Sequence, residues 1–191
     1  MSNPVEQLKN EYKAIEKYLL ERKELLLTND LNKHLRKILI LSAGSYFERE
    51  ITTILSDFVR SKSNEDERIV NFLEKQAISG KYFQLFDWGK QNQIDKPGKG
   101  ANKFFGLFGD VFKKQAISDI EIEESDTEER KMEKKQLREA IDAFIEIGHV
   151  RNILVHSNFA EYTYEQKTAD EIFTLFQTAE LFLDYLKKKL K

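Results

Sequence analysis

Apolar residues recur every three to four positions over stretches much longer than a strand, and this helical period is the strongest constraint on the fold. Proline, which breaks helices, occurs only at positions 4 and 97. No two segments form a convincing strand pair, so the pattern predicts an all-α helical bundle of about four long helices plus shorter helices. The longest helix is predicted to run to about Arg60, through Leu35, Ile38, Leu39, Tyr46, Phe47, Ile51, Ile54, Leu55 and Phe58.

Capping signals suggest where other helices begin and end. Asn3 suits the cap and Pro4 the first position of the first helix, and a break at residues 28–30 is predicted to separate it from the second. A short helix after the long one is predicted to face inward with its apolar residues Ile69, Phe72 and Leu73. Thr163-x-x-Gln166 resembles a capping box, which predicts that the last helix begins at Thr163.

The length of 191 residues predicts a single helical domain over 1–191, with residues 79–126 as an inserted excursion. The loop from Lys96 to Lys103 is basic, and it either contacts phosphates or is a mobile surface loop; it lacks the residue order of a P-loop. The phenylalanines after it follow helical spacing and are predicted to be core rather than a base-stacking platform; they are Phe104, Phe105, Phe108 and Phe112.

Composition excludes several functional classes. The absence of cysteine excludes disulfides and thiolate chemistry, and it fits a cytoplasmic protein. No apolar run approaches the roughly 20 residues that span a bilayer, so no membrane association is expected. The three histidines are scattered and no cluster has metal-ligand spacing, so we expect neither a metal nor another cofactor. With a net charge of −2, nucleic-acid binding would need a local basic patch or a dimer groove.

One short motif carries most of the chemical information. Arg151, Asn152 and His156 are spaced by apolar residues at the end of a helix that is periodic from Leu137. A fixed cation, an amide and a group that titrates near neutrality can perform phosphodiester chemistry without a metal. Five positions turn about 140° on a regular helix, so Arg151 and His156 would converge more easily if the helix ended or loosened around Val155.

The specificity of this motif depends on the asparagine. The arginine–histidine spacing arises by chance about one time in eight in a chain of this composition, and the added asparagine lowers this to under about one in a hundred. The alternative interpretation is that Arg151 pairs with a surface acid and that His156 is a partly buried residue at a helix end. The residues alone leave both interpretations open.

The Arg-Asn-x-x-x-His motif near the end of a helix, followed by one more long helix, resembles the HEPN superfamily. The stretch from Leu41 to Glu48, Leu-Ser-Ala-Gly-Ser-Tyr-Phe-Glu, resembles the early helix of its RiboL-PSP subgroup. Residues 81–112 loosely resemble the variable insert of that subgroup. The resemblance implies a metal-independent endoribonuclease, commonly a toxin or an effector of prokaryotic defence, which acts on RNA as a homodimer with a composite cleft and is often controlled by an antitoxin or another regulatory protein.

The resemblance also implies roles for individual residues. Arg151 would hold the scissile phosphate, His156 would act as general base or acid, and Asn152 would orient the phosphate or His156. Glu48 would orient Arg151 or His156, as a polar residue of the early helix often does in the family. Its alternative is an ordinary surface carboxylate that pairs with a nearby lysine or arginine.

Three further side chains near the motif have two interpretations each. His149 either assists at the cleft or is a solvated or partly packed histidine. Tyr162 and Tyr164 either stack on bases at the cleft rim or pack where the last helix begins.

Two further functions compete with the nuclease. A HEPN-like module without catalysis would bind a protein or RNA, and a plain helical dimerisation domain would have no nucleic-acid role. A nuclease predicts that Arg151 and His156 converge in an accessible groove across a two-fold axis, whereas a plain domain predicts that they point apart.

Overall fold

The computed structural model describes residues 3–90, 96–98 and 100–191. Within these residues the chain forms eight α-helices, one π-helical turn and one isolated β-bridge between Gly89 and Pro97. Four of the helices are long, which confirms the predicted all-α bundle. In chain order the elements are α1 (Pro4–Glu21), α2 (Leu25–Lys62), α3 (Glu67–Leu73), the π-helical turn (Glu74–Ile78), α4 (Tyr82–Leu85), α5 (Asn102–Gly106), α6 (Asp110–Ser118), α7 (Glu128–His156) and α8 (Ala169–Lys189).

The predicted start of α1 is confirmed, but the predicted break before α2 is wrong. The Asn3 side chain caps α1 by accepting a hydrogen bond from the Val5 amide at 2.9 Å, and Pro4 is the first helical residue. The chain turns at Lys23, whose φ is 61°, rather than at 28–30. Thr28 lies inside α2, where its hydroxyl donates to the Glu24 carbonyl at 2.9 Å, so a residue that commonly caps helices instead satisfies its hydroxyl within the helix.

The predicted start of α8 is also wrong. Thr168, and not Thr163, caps the helix in a complete capping box, with the Thr168 amide donating to the Glu171 carboxylate at 2.7 Å. Glutamate binds the cap amide with a full negative charge, which a glutamine such as Gln166 lacks. Residues 157–168 therefore form a longer loop than expected, and Tyr164 is buried in it.

The inward face predicted for α3 is wrong as well. Ile69 is 47% exposed and Phe72 is 64% exposed, whereas Val70 is the buried residue of this helix. A helix of seven residues has too few turns for its sequence period to fix which side packs.

Helices α1 and α2 run antiparallel, as do α7 and α8, whereas α2 and α8 pack in the same direction, with Tyr46 contacting Glu180 and Glu50 contacting Lys187. Asn3 of α1 donates to Glu180 of α8, and Lys13 pairs with Asp170. The core between the helices is aromatic, and the Phe144 ring lies 5.3 Å from the Phe47 ring and 5.1 Å from the Phe182 ring. Phe104 and Phe105 are fully buried and Phe108 and Phe112 pack against the core, which confirms the core prediction for these phenylalanines. None of the helices in the described ranges is long and apolar enough to cross a bilayer.

The chain between α4 and α5 is fastened to α7 through a tryptophan and a glycine. The Trp88 ring is buried, and its indole nitrogen donates to the Phe83 carbonyl at 3.1 Å. A Cβ atom added at Gly148 of α7 would lie 2.0 Å from Trp88 Cζ3, so only glycine permits this approach. That the chain is a single domain with 79–126 as its insert stays a prediction.

The substitution Gly148→Ala should lower the free energy of unfolding by about 2–3 kcal/mol, because the methyl group would displace the Trp88 ring from a closely packed core. Urea denaturation measures the change. The matched control is Gly106→Ala at the end of α5, where the nearest neighbour of an added Cβ is 3.9 Å away. We expect the control to change stability by less than about 1 kcal/mol, and an equal loss in both variants would contradict the role of Trp88.

Candidate active site

Arg151 lies on the face of α7 that packs against α2. Its stem crosses α2 at Gly44, where an added Cβ would lie 2.7 Å from the Arg151 Cγ. Glycine has the lowest helix propensity of the residues other than proline, so its presence inside a 38-residue helix indicates a packing requirement. Gly44 allows the two helices to approach closely enough for Arg151 to lie between them.

The guanidinium of Arg151 is held from two sides. Its Nη2 lies 3.5 Å from Glu48 Oε2, an ion pair rather than a short hydrogen bond. The guanidinium carbon lies 4.0 Å from the centre of the Phe83 ring, which is cation–π geometry. These two contacts orient the cation before any ligand arrives, and the Arg151 side chain is mostly buried, with 17% of it exposed.

Tyr82 completes the surroundings of this ion pair. Its ring is buried and lies 5.1 Å from the Phe83 ring, edge to face. Burial is the main cause that raises the pKa of Tyr82 well above its ordinary value; the Glu48 carboxylate adds to the increase and Arg151 opposes it. The hydroxyl therefore stays neutral at physiological pH, and the charges near it are those of Glu48 and Arg151.

Asn152 and His156 do not join Arg151 within one chain. α7 stays helical to His156, and the Ser157 amide donates to the Ile153 carbonyl at 2.9 Å. The loosening considered around Val155 is therefore absent, and Arg151 and His156 point about 140° apart around the helix axis. His156 is exposed and Asn152 is partly buried, and within the described residues neither side chain makes a hydrogen bond or an ion pair.

The other side chains considered near the motif are mostly packed. His149 is 1% exposed, so it is a buried residue of α7 rather than a solvated one. Tyr164 is buried and Tyr162 is partly buried and packed against the core, which leaves neither ring free to stack on a base. In the basic loop 96–103, Lys96 is exposed and Ala101 is buried, and position 99 lies outside the described residues. Positions 91–95, which precede the loop, also lie outside them.

Sequence reasoning found Arg151 and Glu48 but missed their neighbours. Gly44 carried a usable signal, because it is a glycine inside a strong helical period. Phe83 and Tyr82 carried none, since an aromatic residue in a connecting segment gives no indication of which helix it contacts. Within the described parts of the chain, no group of three or more acidic or histidine side chains is arranged to hold a metal ion.

The sequence was compared with known protein families, curated proteins and solved structures. The family model for RiboL-PSP-HEPN matches residues 6–191. No curated protein and no solved structure matches the chain. Because the family model spans nearly the whole sequence, including both helices that carry Glu48 and Arg151, the chain belongs to the RiboL-PSP-HEPN family.

Proposed function

We propose that this protein is a metal-independent endoribonuclease that cleaves RNA by attack of the 2′-hydroxyl on the adjacent phosphate. The observation that carries the proposal is the orientation of Arg151 by Glu48 and Phe83 over Gly44. A guanidinium held in place before the reaction stabilises the charge that develops on phosphate oxygens without reorganising during the step. Glu48 acts here as a positioning residue, because it contacts the arginine.

The proposed chemistry needs two proton transfers and no metal. As the 2′-oxygen attacks phosphorus, its proton passes to a base, and the bond to the 5′-oxygen of the next nucleotide breaks as that oxygen receives a proton. His156 is the proposed base or acid, since an imidazole ring can both accept and donate a proton. Asn152 orients the phosphate or His156. The products are a 2′,3′-cyclic phosphate and a 5′-hydroxyl.

The proposed active unit is a homodimer with a composite cleft. Arg151 and His156 of one chain point about 140° apart, and His156 is exposed at the end of α7. Placing the ends of two α7 helices against each other across a two-fold axis would bring the arginine of one protomer to the histidine of its partner. Two copies of Arg151 and nearby lysines would also supply a local positive groove in a chain whose net charge is −2.

Cleavage of RNA in EDTA tests the proposal. The purified protein should cut total RNA or transfer RNA in the presence of EDTA, and end analysis should find cyclic phosphates. Chelator-sensitive cleavage, or products with 3′-hydroxyl ends, would contradict the metal-independent mechanism.

A HEPN-like module without catalysis is the second candidate. The separation of Arg151 and His156 within one chain favours it, because a lone protomer does not assemble the two groups. This candidate predicts that the protein binds RNA or a partner protein and leaves the RNA intact. Wild-type protein that binds a labelled RNA tightly without cutting it would support this reading over the nuclease.

The biological role that we propose for the nuclease is a toxin or defence effector, which an antitoxin or another regulatory protein controls. Induced expression of the wild type should arrest growth of the host cells, because unchecked RNA cleavage stops translation. The variant His156→Ala, expressed at the same level, should allow normal growth. Equal arrest by both would contradict a role of cleavage in toxicity.

A further inference from the structure

A buried lysine lies beside the loop that follows the motif. Lys37 of α2 is 4% exposed, and its ammonium donates to the Phe159 carbonyl at 2.7 Å and to the Tyr162 carbonyl at 3.2 Å. The ammonium also lies 4.3 Å from the centre of the Phe159 ring. Among the described residues no carboxylate pairs with it, although burying a charge without a counter-ion is costly. The two carbonyls and the Phe159 ring offset part of the free energy lost on burying the charge. They use two of the three ammonium hydrogens, so one is available for a further acceptor.

Lys37 also lines a small cavity between α2 and the loop. The cavity has a volume of about 140 Å³, and Lys33, His34, Tyr162 and Thr163 also line it, with no carboxylate among its lining residues. The Tyr162 hydroxyl is buried and, within the described chain, has no hydrogen-bond partner. Lys33 is paired with Asp30 at 3.5 Å on the exposed side of α2. Lys37 and Tyr162 both line this cavity, so a buried cation without a counter-ion and a buried hydroxyl without a partner belong to the same site, and an anion would satisfy them.

The size of the cavity selects the kind of anion. Sites for drug-sized ligands start at about 300 Å³, and one water takes about 30 Å³. A cavity of about 140 Å³ therefore accommodates one tetrahedral phosphate group with a few waters, and it is too small for a nucleotide base with its sugar.

The cavity lies next to the candidate cleft. Its loop residues begin at Ala160, four positions after His156, and Lys37 lies seven positions before Gly44, about 10 Å along α2. We propose that this cavity binds a phosphodiester group of the RNA strand beside the scissile bond, an inference that rests on the proposed ribonuclease function. The substrate would then be held at two phosphates, one at Arg151 and one in the cavity, by Lys37, Tyr162 and the charge of Lys33.

Two conservative variants test the site, since Lys37 also holds the loop. Binding of a single-stranded oligonucleotide with 2′-O-methyl groups, which resists cleavage, is measured by fluorescence anisotropy across a range of salt concentrations. Tyr162→Phe removes only the hydroxyl and should weaken binding about 3- to 10-fold. Lys33→Gln should lower the slope of log affinity against log salt by about 0.7. The matched controls, Tyr18→Phe and Lys75→Gln, change exposed residues away from the cavity and should have no effect.

The outcomes separate this site from the function on which it rests. Unchanged binding in both cavity variants, alongside weaker binding by Arg151→Ala, would overturn the site and leave the nuclease standing. Wild type that neither binds nor cleaves RNA would overturn the proposed function and this inference with it. In a second measurement, NMR with inorganic phosphate alone should shift the amide signals of residues 157–164 only weakly. Tight phosphate binding together with RNA binding that Tyr162→Phe does not alter would assign the cavity to a free anion and overturn its assignment to RNA.

Discussion

His156→Ala should lower the rate constant of RNA cleavage about 10²- to 10⁴-fold, which is the usual contribution of a positioned general acid or base. Arg151→Ala should lower it about 10²- to 10³-fold, because the charge on the phosphate oxygens would lose its fixed partner. Single-turnover cleavage of a defined oligoribonucleotide in EDTA measures both rate constants without interference from product release.

Controls separate chemistry from folding in these variants. His156 is exposed, so its truncation should change the free energy of unfolding by less than about 0.5 kcal/mol. Arg151→Lys keeps the charge but loses the planar fork that binds phosphate at two points, so it should retain part of the activity. Arg68→Ala removes a highly exposed arginine on α3, beyond the far end of α2, and should cleave at the wild-type rate. Cleavage that survives both motif substitutions would place the chemistry elsewhere.

The parts of the fold that the sequence predicts are those with long repeated signals. α2 and α7 have 38 and 29 residues, so their apolar periods repeat over many turns and local exceptions do not obscure them. The start of α1 was predictable because Asn3 and Pro4 give two independent signals at adjacent positions. The same reasoning placed Arg151 and His156 at the end of α7.

The predictions that failed concern features that two similar local signals could specify, or features that tertiary packing decides. Both Thr163 and Thr168 are followed three positions later by a residue that can complete a capping box. The negative charge of Glu171 and the burial of Tyr164 both favour the later start. Phe83 contacts Arg151 from the four-residue helix α4, 68 positions away in the chain, and no sequence period relates the two residues. A local pattern therefore identifies the candidate side chains but not the groups that contact them.

Two heterodimers decide whether each catalytic centre combines residues of both protomers. Each is made by co-expressing two differently tagged chains and purifying the mixed dimer on both tags. In the first, one protomer carries Arg151→Ala and its partner carries His156→Ala. If Arg151 of one protomer works with His156 of its partner, this dimer has one intact centre out of two and should show about half of the wild-type rate. That is a recovery of at least about 50-fold over either variant alone, given the losses expected above.

The second heterodimer is the matched control, since it has the same two substitutions in a different arrangement. One protomer carries both Arg151→Ala and His156→Ala, and its partner is wild type. A centre shared across the two-fold axis is then broken on both sides, so this dimer should be as inactive as the single variants. If instead each protomer formed its own centre, the second dimer would keep half of the activity and the first would have none. The angle of about 140° between Arg151 and His156 on one regular helix favours the first pattern, because the histidine of the same chain points away from the guanidinium that it would have to assist.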